Sequence, residues 1–360
     1  MSKTLGLSII VPVYNAEKYI LDCINSILNQ SIETSFEIII IDDASTDNSI
    51  NILKKLNSPF IKIQSLKLNS GPASARNAGL KIAKGEYIFF LDADDTLSNN
   101  SLNILFNEAK MNNFDLVICD KKLIENQKNK RENNFLYSSD KIFDNLEITD
   151  EIIKRIHNPL YQLGLIGLTG RLIKNSIIVE HNIHFQEGLR YLEDEIFSWD
   201  VLSHCKKIKY VRKQLYSYYV YPNESSGISE GINLGYPIDN FKTAKKHVFD
   251  CLINRKLKTE KSEKLADQAF IFFIISALVS FSRSIIIGKV NFSEGSKKRK
   301  EMIKNLLIDT DVKKAIKNYK SSKNENKWIP IAINWRLNKI LELLCHARAK
   351  EILIIRKKTG

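Results

Sequence analysis

Short apolar runs alternate with segments of helical periodicity in the N-terminal part of the chain, and this alternation limits the possible folds more than any other feature. The runs are LSIIVPVY at 7–14, FEIIIIDD at 36–43, IKIQSLKLN at 61–69 and EYIFFLDAD at 86–94. Buried runs that alternate with helices are typical of βαβ units. Because such crossovers are right-handed, we predict an α/β, Rossmann-like fold in which a mainly parallel sheet is flanked by helices.

A polar cluster comes after each of these runs, at the point where the predicted strand ends. The clusters are PVYN at 12–15, DDASTD at 42–47, LNSGPASARN at 68–77 and DADD at 92–95. The carboxyl ends of parallel strands meet at one edge of a sheet, where open α/β proteins bind their ligands. We therefore expect a binding site along this edge.

The remaining sequence is less regular. Residues 114–124 and 207–220 are predicted strands, and the polar segment 121–150 suggests a flexible insertion. From about residue 238 the pattern is helical to the end. We predict one domain over 1–237, with halves at 1–120 and 150–237, and a helical module over 238–360 that associates with a membrane or mediates oligomerisation.

Charge and cysteine content restrict the cellular setting. The formal net charge is +13, and basic residues are concentrated towards the C-terminus. Such a segment could attract anionic lipid, nucleic acid or an acidic ligand. A helix face that is simply exposed to solvent would explain the lysines equally well. The five cysteines are odd in number and widely spread, which favours a reduced compartment. The N-terminus does not resemble a cleaved signal peptide. We expect a cytoplasmic protein without a nucleic-acid partner.

One apolar stretch raises the question of a membrane span. The uninterrupted run from Ala269 to Phe281 is shorter than the roughly 18–20 residues that a span needs, and Arg283 places a charge directly after it. We therefore predict a buried helix of the C-terminal module.

The carboxylates after the fourth run fit a cation site. Asp92 and Asp94 can offer oxygen ligands to Mg²⁺ or Mn²⁺, which usually binds through one or two carboxylates and substrate phosphates. An isolated DxD is also common in plain turns. Arg76, at the head of a predicted helix, suits phosphate or carbonyl oxygens, or else a salt bridge that closes the DxD loop. A second acidic group, Glu193, Asp194 and Glu195, either stabilises a helix N-terminus or serves a catalytic role.

Four segments together resemble glycosyltransferase family 2, which has the GT-A fold. They are SIIVPVYNAEKYILDCINSILNQS, FEIIIIDDASTDNS, NSGPASARNAGLKIAKGEYIFFLDADD and GLRYLEDEIF, and they occur in the family's order over roughly residues 6–225. The resemblance implies a metal-dependent, inverting transferase that displaces a nucleoside diphosphate directly. Asp194 would be the catalytic base, Asp94 the metal ligand, and Glu193 and Tyr221 acceptor or supporting residues. The implied nucleotide-binding residues are Pro12, Val13, Tyr14, Asn15, Glu17, Asp43, Arg76, Asp92 and Ala93.

The resemblance implies a nucleotide-sugar donor, with a UDP-sugar as the first choice, and a divalent cation, Mn²⁺ or Mg²⁺. It implies an acceptor that is a saccharide or a lipid-linked glycan, in the synthesis of a bacterial lipooligosaccharide, capsule or O-antigen. A sugar nucleotidyltransferase and a catalytically silent glycan-binding scaffold remain alternatives. Arg171 stands where the family often has lysine, so it is assigned no contact. Tyr219 and Ser226 resemble a segment of the family that can close over the diphosphate. The HxxH pair, His181 and His184, is more typical of a surface helix or loop than of a metal site.

The C-terminal segment INWRLNKILELLCHARAKEILIIRKK lies outside the resemblance. Its apolar residues can share one helix face, edged by Arg336, Lys339, Arg348 and Lys350; they are Trp335, Leu337, Ile340, Leu341, Leu344 and Ile352. Such a helix could lie peripherally on the inner face of an anionic membrane, or pack against the catalytic domain or a second subunit. The oligomeric state stays open.

Overall fold

The structure is a computed structural model that describes residues 5–125, 129–130, 135–158, 164–189, 191–221, 238–322 and 325–358. The chain forms two compact units. The first comprises Met1–Ile148, Gly164–Leu189 and Glu193–Pro222, and the second comprises Thr149–Leu163, Arg190–Leu192 and Asn223–Gly360. The predicted domain limit at residue 237 stays a prediction, because it falls outside the described residues.

All described strands belong to one sheet in the first unit. They are β1 (Leu7–Val13), β2 (Phe36–Asp42), β3 (Ile61–Ser65), β4 (Tyr87–Phe90), β5 (Thr96–Leu97), β6 (Leu116–Glu125), β7 (Asn129–Lys130), β8 (Lys141–Phe143), β9 (Arg171–Lys174) and β10 (Ile208–Val220). Their order is β3-β2-β1-β4-β9-β6-β10-β5, with β7 beside β6 and β8 beside β10.

The parallel sheet predicted from the apolar runs is confirmed. Strands β1 to β4 pair in parallel, with Val13 opposite Asp42, so the ends of β1 and β2 lie side by side. The runs of β1, β2 and β4 are continuous and buried, as expected for strands that are covered on both faces, whereas β3 is largely exposed and its apolar residues alternate with polar ones. The strand β9 lies antiparallel between β4 and β6, which makes the whole sheet mixed.

The helices among the described residues are α1 (Ile20–Leu28), α2 (Ser49–Lys54), α3 (Pro72–Ile82), α4 (Ser101–Met111), α5 (Asn145–His157), α6 (Asn175–Glu180), α7 (Glu193–His204), α8 (Ile238–Asn254), α9 (Thr259–Ile286), α10 (Phe292–Ile308), α11 (Thr310–Ala315), a 3₁₀ turn (Ile316–Asn318), α12 (Trp328–Asn334) and α13 (Asn338–Lys358). Helix α3 packs closely on β1 at Gly79, where an added Cβ would lie 2.5 Å from Ile10 Cγ2. This close approach fixes the position of Arg76 one turn earlier.

The prediction of a flexible insertion over 121–150 is wrong for much of that segment. Strand β6 continues to Glu125, β8 pairs with β10, and α5 begins at Asn145. Short strands that carry charged residues have too little apolar periodicity to be read from sequence, because neighbouring strands rather than their own pattern hold them in place.

Helix α9 is the apolar helix expected in the C-terminal module. The uninterrupted apolar stretch is too short for a membrane span, but the whole helix is long and apolar enough to cross a membrane, with a mean hydropathy of 2.1 over 18 residues. Within the protein 72% of that window is buried. Burial of this extent is what the core helix of a helical unit needs, in agreement with the prediction.

Candidate active site

The loops that come after β1 and β2 are held together by hydrogen bonds. Asn15, in the left-handed region at φ 48°, accepts the Thr46 amide at 2.8 Å through Oδ1, and the Asp47 amide at 3.3 Å. Glu17 accepts the Asn48 amide at 3.0 Å. Two residues predicted to bind nucleotide therefore have a structural task that their sequence motif did not reveal: they fix the two loops against each other.

The carboxylate of Asp43 connects this pair of loops to the loop after β3. It is buried, and its two oxygens accept the amides of Ser70 at 2.8 Å and Gly71 at 2.7 Å. The Asp43 amide donates to the Val13 carbonyl at 2.8 Å. The predicted contact of Asp43 with the nucleotide stays a prediction, while its role in loop geometry is observed.

The remaining residues of the predicted nucleotide loop differ in exposure. Pro12 and Val13 lie within β1, and the Val13 side chain is buried in the core. Tyr14 is 46% exposed just beyond the strand. An exposed aromatic ring at a strand end offers a flat apolar face at this edge.

A tight turn carries the DADD motif away from β4. The Asp95 amide donates to the Asp92 carbonyl, and the buried Asp95 carboxylate accepts the Tyr216 hydroxyl at 2.6 Å and the Tyr219 amide at 2.9 Å. Burial, together with Asp92 and Asp94, raises the pKa of Asp95 to about 8. Asp95 thus anchors the turn on β10, whereas Asp94 is exposed and Ala93 is buried.

Arg76 lies between the two acidic segments. Its Nη2 is 2.9 Å from Asp92 Oδ1, its Nη1 is 3.7 Å from Glu193 Oε1, and the guanidinium lies over the Phe185 ring at 5.5 Å from the centroid. The residue is 7% exposed. Burial disfavours its charge, yet Asp92 and Glu193 raise the pKa of Arg76. The salt bridge considered as the alternative for Arg76 is therefore present, and its predicted contact with a nucleotide remains a prediction.

Helix α7 begins with the second acidic segment. Burial and the neighbouring Asp194 raise the pKa of Glu193 to about 7, with Arg76 acting in the opposite direction. Asp194 Oδ1 accepts the Glu195 amide at 2.8 Å in the first turn of the helix, where a carboxylate also interacts favourably with the helix dipole. We call Asp92, Asp94, Asp95, Glu193 and Asp194 the acidic cluster.

Lys121 was not identified from the sequence. It lies on β6 opposite Tyr216 of β10, and its Nζ is 5.5 Å from the centroid of the Tyr218 ring. Burial and Arg171 lower the pKa of Lys121 to about 8, while Asp194, Asp95 and Asp92 act against this shift. Within the described ranges its ammonium makes no hydrogen bond or salt bridge, so a cation lies near the acidic cluster without being neutralised by it.

Arg171, left without a role in the sequence analysis, is buried beneath this region. Its guanidinium donates to the carbonyl oxygens of Thr169 at 2.6 Å and Gly164 at 2.9 Å, and burial lowers its pKa to about 10. These bonds fix the loop before β9 rather than present the charge to a ligand.

An aromatic group lies at the end of β10. Tyr221 packs on Tyr19 with ring centroids 4.3 Å apart and stacks with Tyr219 at 6.1 Å. Burial raises the pKa of Tyr221. Ser226 lies outside the described residues. Of the HxxH pair, His181 stacks on His204, and His184 Nδ1 lies 2.9 Å from the Asn182 carbonyl oxygen.

The oxygen donors fit a hard divalent cation. Asp94 is exposed, and Asp92 is partly exposed with one oxygen held by Arg76. Mg²⁺ and Mn²⁺ need only one or two carboxylates when substrate phosphates and water complete the shell. These two residues therefore suit a cation that arrives with its substrate.

The sheet order and the carboxylate-rich edge define the GT-A fold class. Residues 8–163 match the family model described as glycosyl transferase family 2, and this part of the chain is a glycosyltransferase family 2 domain. The poly(ribitol-phosphate) β-N-acetylglucosaminyltransferase TarP of Staphylococcus aureus is 35% identical over 222 residues, which cover 61% of this chain and 63% of TarP. A poly(ribitol-phosphate) β-glucosyltransferase of Bacillus spizizenii is 30% identical over 72% of this chain and 39% of its own length.

A solved structure is similar over most of the chain. The crystal structure of S. aureus TarS 1-349 in complex with UDP-GlcNAc has a TM-score of 0.67 at 20% identity and covers 96% of this chain and 91% of that chain. At this identity the likeness establishes the fold alone. The chain spans only 63% and 39% of the length of the two curated relatives.

Proposed function

We propose that this chain is an inverting, metal-dependent glycosyltransferase that moves a sugar from a UDP-linked donor to a hydroxyl group of a bacterial surface glycan. The observation that carries the proposal is the position of Arg76, which lies within 2.9 Å of Asp92 and 3.7 Å of Glu193. It joins the turn expected to bind the donor to the helix expected to carry the base. A donor end and an acceptor end of one reaction centre would need this proximity.

The reaction requires one base and one stabilised leaving group. Asp194 would accept the proton of the acceptor hydroxyl as its oxygen attacks C1 of the donor sugar, while the bond from C1 to the diphosphate breaks. Protonation of Glu193, favoured by its pKa of about 7, would reduce the negative charge beside the base. A divalent cation held by Asp94 with Asp92 beside it would supply Lewis acidity for the departing diphosphate.

Lys121 adds a positive charge near these carboxylates. Its ammonium is half-buried without a salt bridge to the described carboxylates, which has a cost in the free protein. We assign Lys121 to a substrate-binding role, in which its ammonium would contact an anionic group of the bound substrate.

The acceptor class rests on the relatives. Two are named for transfer to poly(ribitol-phosphate), so a phosphate-containing surface polymer is the first acceptor to test, ahead of the lipooligosaccharide, capsule and O-antigen suggested by the resemblance. Their names also distinguish N-acetylglucosamine from glucose as the transferred sugar, so the donor sugar has to be measured.

A panel of nucleotide sugars, each incubated with Mn²⁺, Mg²⁺ or chelator, tests the proposal without a known acceptor. We expect slow hydrolysis of one UDP-sugar to UDP and free sugar, which needs the cation and is lost in Asp94→Asn. The exposed Asp22→Asn on α1 serves as control. Hydrolysis that persists in chelator would contradict metal dependence, and formation of a nucleoside triphosphate from the donor and pyrophosphate would favour a nucleotidyltransferase.

A further inference from the structure

Two of the three tryptophans of the chain are exposed at the two ends of one short helix. Trp328 is 66% exposed and Trp335, at the end of α12, is 71% exposed, whereas Trp199 is buried. Large aromatic side chains seldom remain exposed in pairs, because burial of each removes a large apolar area from water. Their exposure points to a surface that is covered in the functional state.

The exposed residues of α12 share a face that is separate from its packed face. Ile329, Ala332 and Ile333 are buried, and Trp328, Ile331 and Trp335 recur at i, i+3 and i+7 on the outer side. The exposure of the tryptophans is thus not a result of incomplete core packing. The helix buries one apolar face and presents a second.

Helix α13 repeats this arrangement. Its packed face contains Leu341, Cys345 and Ala349, which are buried. Ile340, Leu343 and Ile354 are exposed at i, i+3 and i+14, on the opposite side of the helix. The apolar face predicted from the sequence is therefore wrong in part, because Leu341 points into the protein and Leu343 does not.

Exposed cations accompany both outer faces. Lys327 precedes α12, Arg336 occupies the turn between the helices at φ 56°, and Lys339 lies in the first turn of α13. The acidic residues of α13 are already paired, Glu342 with Arg299 at 2.7 Å and Glu351 with Arg348 at 2.6 Å. The positive charge of this surface is therefore not balanced by the glutamates of the same helix.

We propose that this surface, made of Trp328, Ile331, Trp335, Ile340, Leu343 and the cations Lys327, Arg336 and Lys339, docks onto an anionic lipid bilayer. Tryptophan rings suit the boundary between headgroups and acyl chains, and lysine and arginine interact with anionic headgroups. A second copy of the chain fits less well, since a symmetric contact would bring the same three cations of each copy together. The inference concerns attachment and does not depend on which sugar is transferred.

Sedimentation of the full chain with phosphatidylcholine vesicles, with and without phosphatidylglycerol, tests the proposal. We expect binding to the anionic vesicles alone, weakened at high salt. The triple variant Lys327→Gln, Arg336→Gln, Lys339→Gln should bind about 100-fold more weakly. Lys54→Gln, Lys55→Gln, Lys213→Gln, which removes three exposed lysines from the first unit, should bind like the wild type.

The tryptophans have their own readout. Brominated lipids should quench the tryptophan fluorescence of the wild-type protein. Trp328→Ser with Trp335→Ser should abolish vesicle binding, while Met111→Ser with Val179→Ser, exposed apolar residues elsewhere, should leave both binding and quenching intact. Circular dichroism and donor hydrolysis without vesicles check that each variant is folded. Equal binding to neutral vesicles, or unchanged binding by the variants, overturns the proposal. So does a wild-type oligomer that the tryptophan variant dissociates, because a second copy would then be the occupant.

Discussion

The loops after β1 and β2 and the acidic cluster lie at the same edge of the sheet, yet they use their polar groups in opposite ways. In the loops, the side-chain oxygens of Asn15, Glu17 and Asp43 accept backbone amides of neighbouring loops. In the acidic cluster, burial and the neighbouring carboxylates together raise the pKa values of Asp95 and Glu193. The loops are complete as a scaffold, whereas the cluster holds charge that a bound ligand would balance.

The largest expected effect is the loss of sugar transfer on substitution of Asp194, the residue of the acidic cluster that we propose as the catalytic base. Asp194→Asn retains an oxygen for the Glu195 amide but cannot accept a proton, so the transfer rate should fall by about 10²–10⁴-fold. Donor affinity, measured by calorimetry with UDP, should change little. Asp200→Asn on the same helix is the matched control. Transfer at the wild-type rate in the Asp194 variant would show that the base lies elsewhere.

Asp43 tests the scaffold side of the comparison. Asp43→Ala removes the acceptor of two amides, those of Ser70 and Gly71, and we expect a loss of roughly 2–3 kcal/mol in the free energy of unfolding. Donor binding should weaken together with stability, because the loop after β3 loses its anchor. Urea denaturation and donor titration measure the two effects. If stability is unchanged while donor binding disappears, Asp43 binds the donor and does not stabilise the loops. The loops and the acidic cluster would then not differ in the way proposed.

Sequence reasoning could locate both regions because their signals are local. Apolar runs ending in polar clusters predicted the strand ends, and the motifs DADD and LEDE predicted which carboxylates face the edge. The order of the four segments was specific enough to indicate the family. Each of these inferences depends on residues that are neighbours in the chain.

The parts that could not be predicted depend on contacts between distant segments. Lys121 lies opposite Tyr216 because β6 pairs in parallel with β10, a register that no periodicity of the segment CDKKLI reveals. The bond from Asp95 to Tyr216 and the loop contacts of Asn15 likewise join residues that are far apart in sequence. Arg171 could equally have faced a ligand, and only its burial identifies it as structural.

Lys121 tests whether a charge near the acidic cluster is kept at a cost in stability. Its pKa is lowered to about 8 from an unfolded value of about 10.4, so the folded protein carries a penalty that is complete below about pH 8 and vanishes above about pH 10.4. Lys121→Met should therefore stabilise the free protein at neutral pH by up to about 3 kcal/mol, and the gain should disappear in strongly alkaline solution.

The same Lys121→Met variant should lower kcat/KM, because the cation would no longer meet the substrate. Thermal unfolding across pH and steady-state kinetics separate the two effects, with the neighbouring Lys122→Met as control. A variant that is less stable and fully active would identify Lys121 as a structural residue instead. Higher stability with lower activity is the signature of a charge retained for binding.

Substitutions of Asn15 should have the smallest effect on stability. They can separate its two contributions, the side-chain hydrogen bonds and the left-handed backbone conformation. Asn15→Gly keeps the left-handed backbone but removes the acceptor of the Thr46 and Asp47 amides, and should cost about 1 kcal/mol in the free energy of unfolding. Asn15→Ala removes the same bonds and adds a methyl group at φ 48°, which costs roughly a further 1 kcal/mol. Chemical denaturation of the two variants measures both steps. Equal stability of the glycine and alanine variants would mean that the loop relaxes out of the left-handed conformation, and hence that the scaffold after β1 is less rigid than its hydrogen bonds imply.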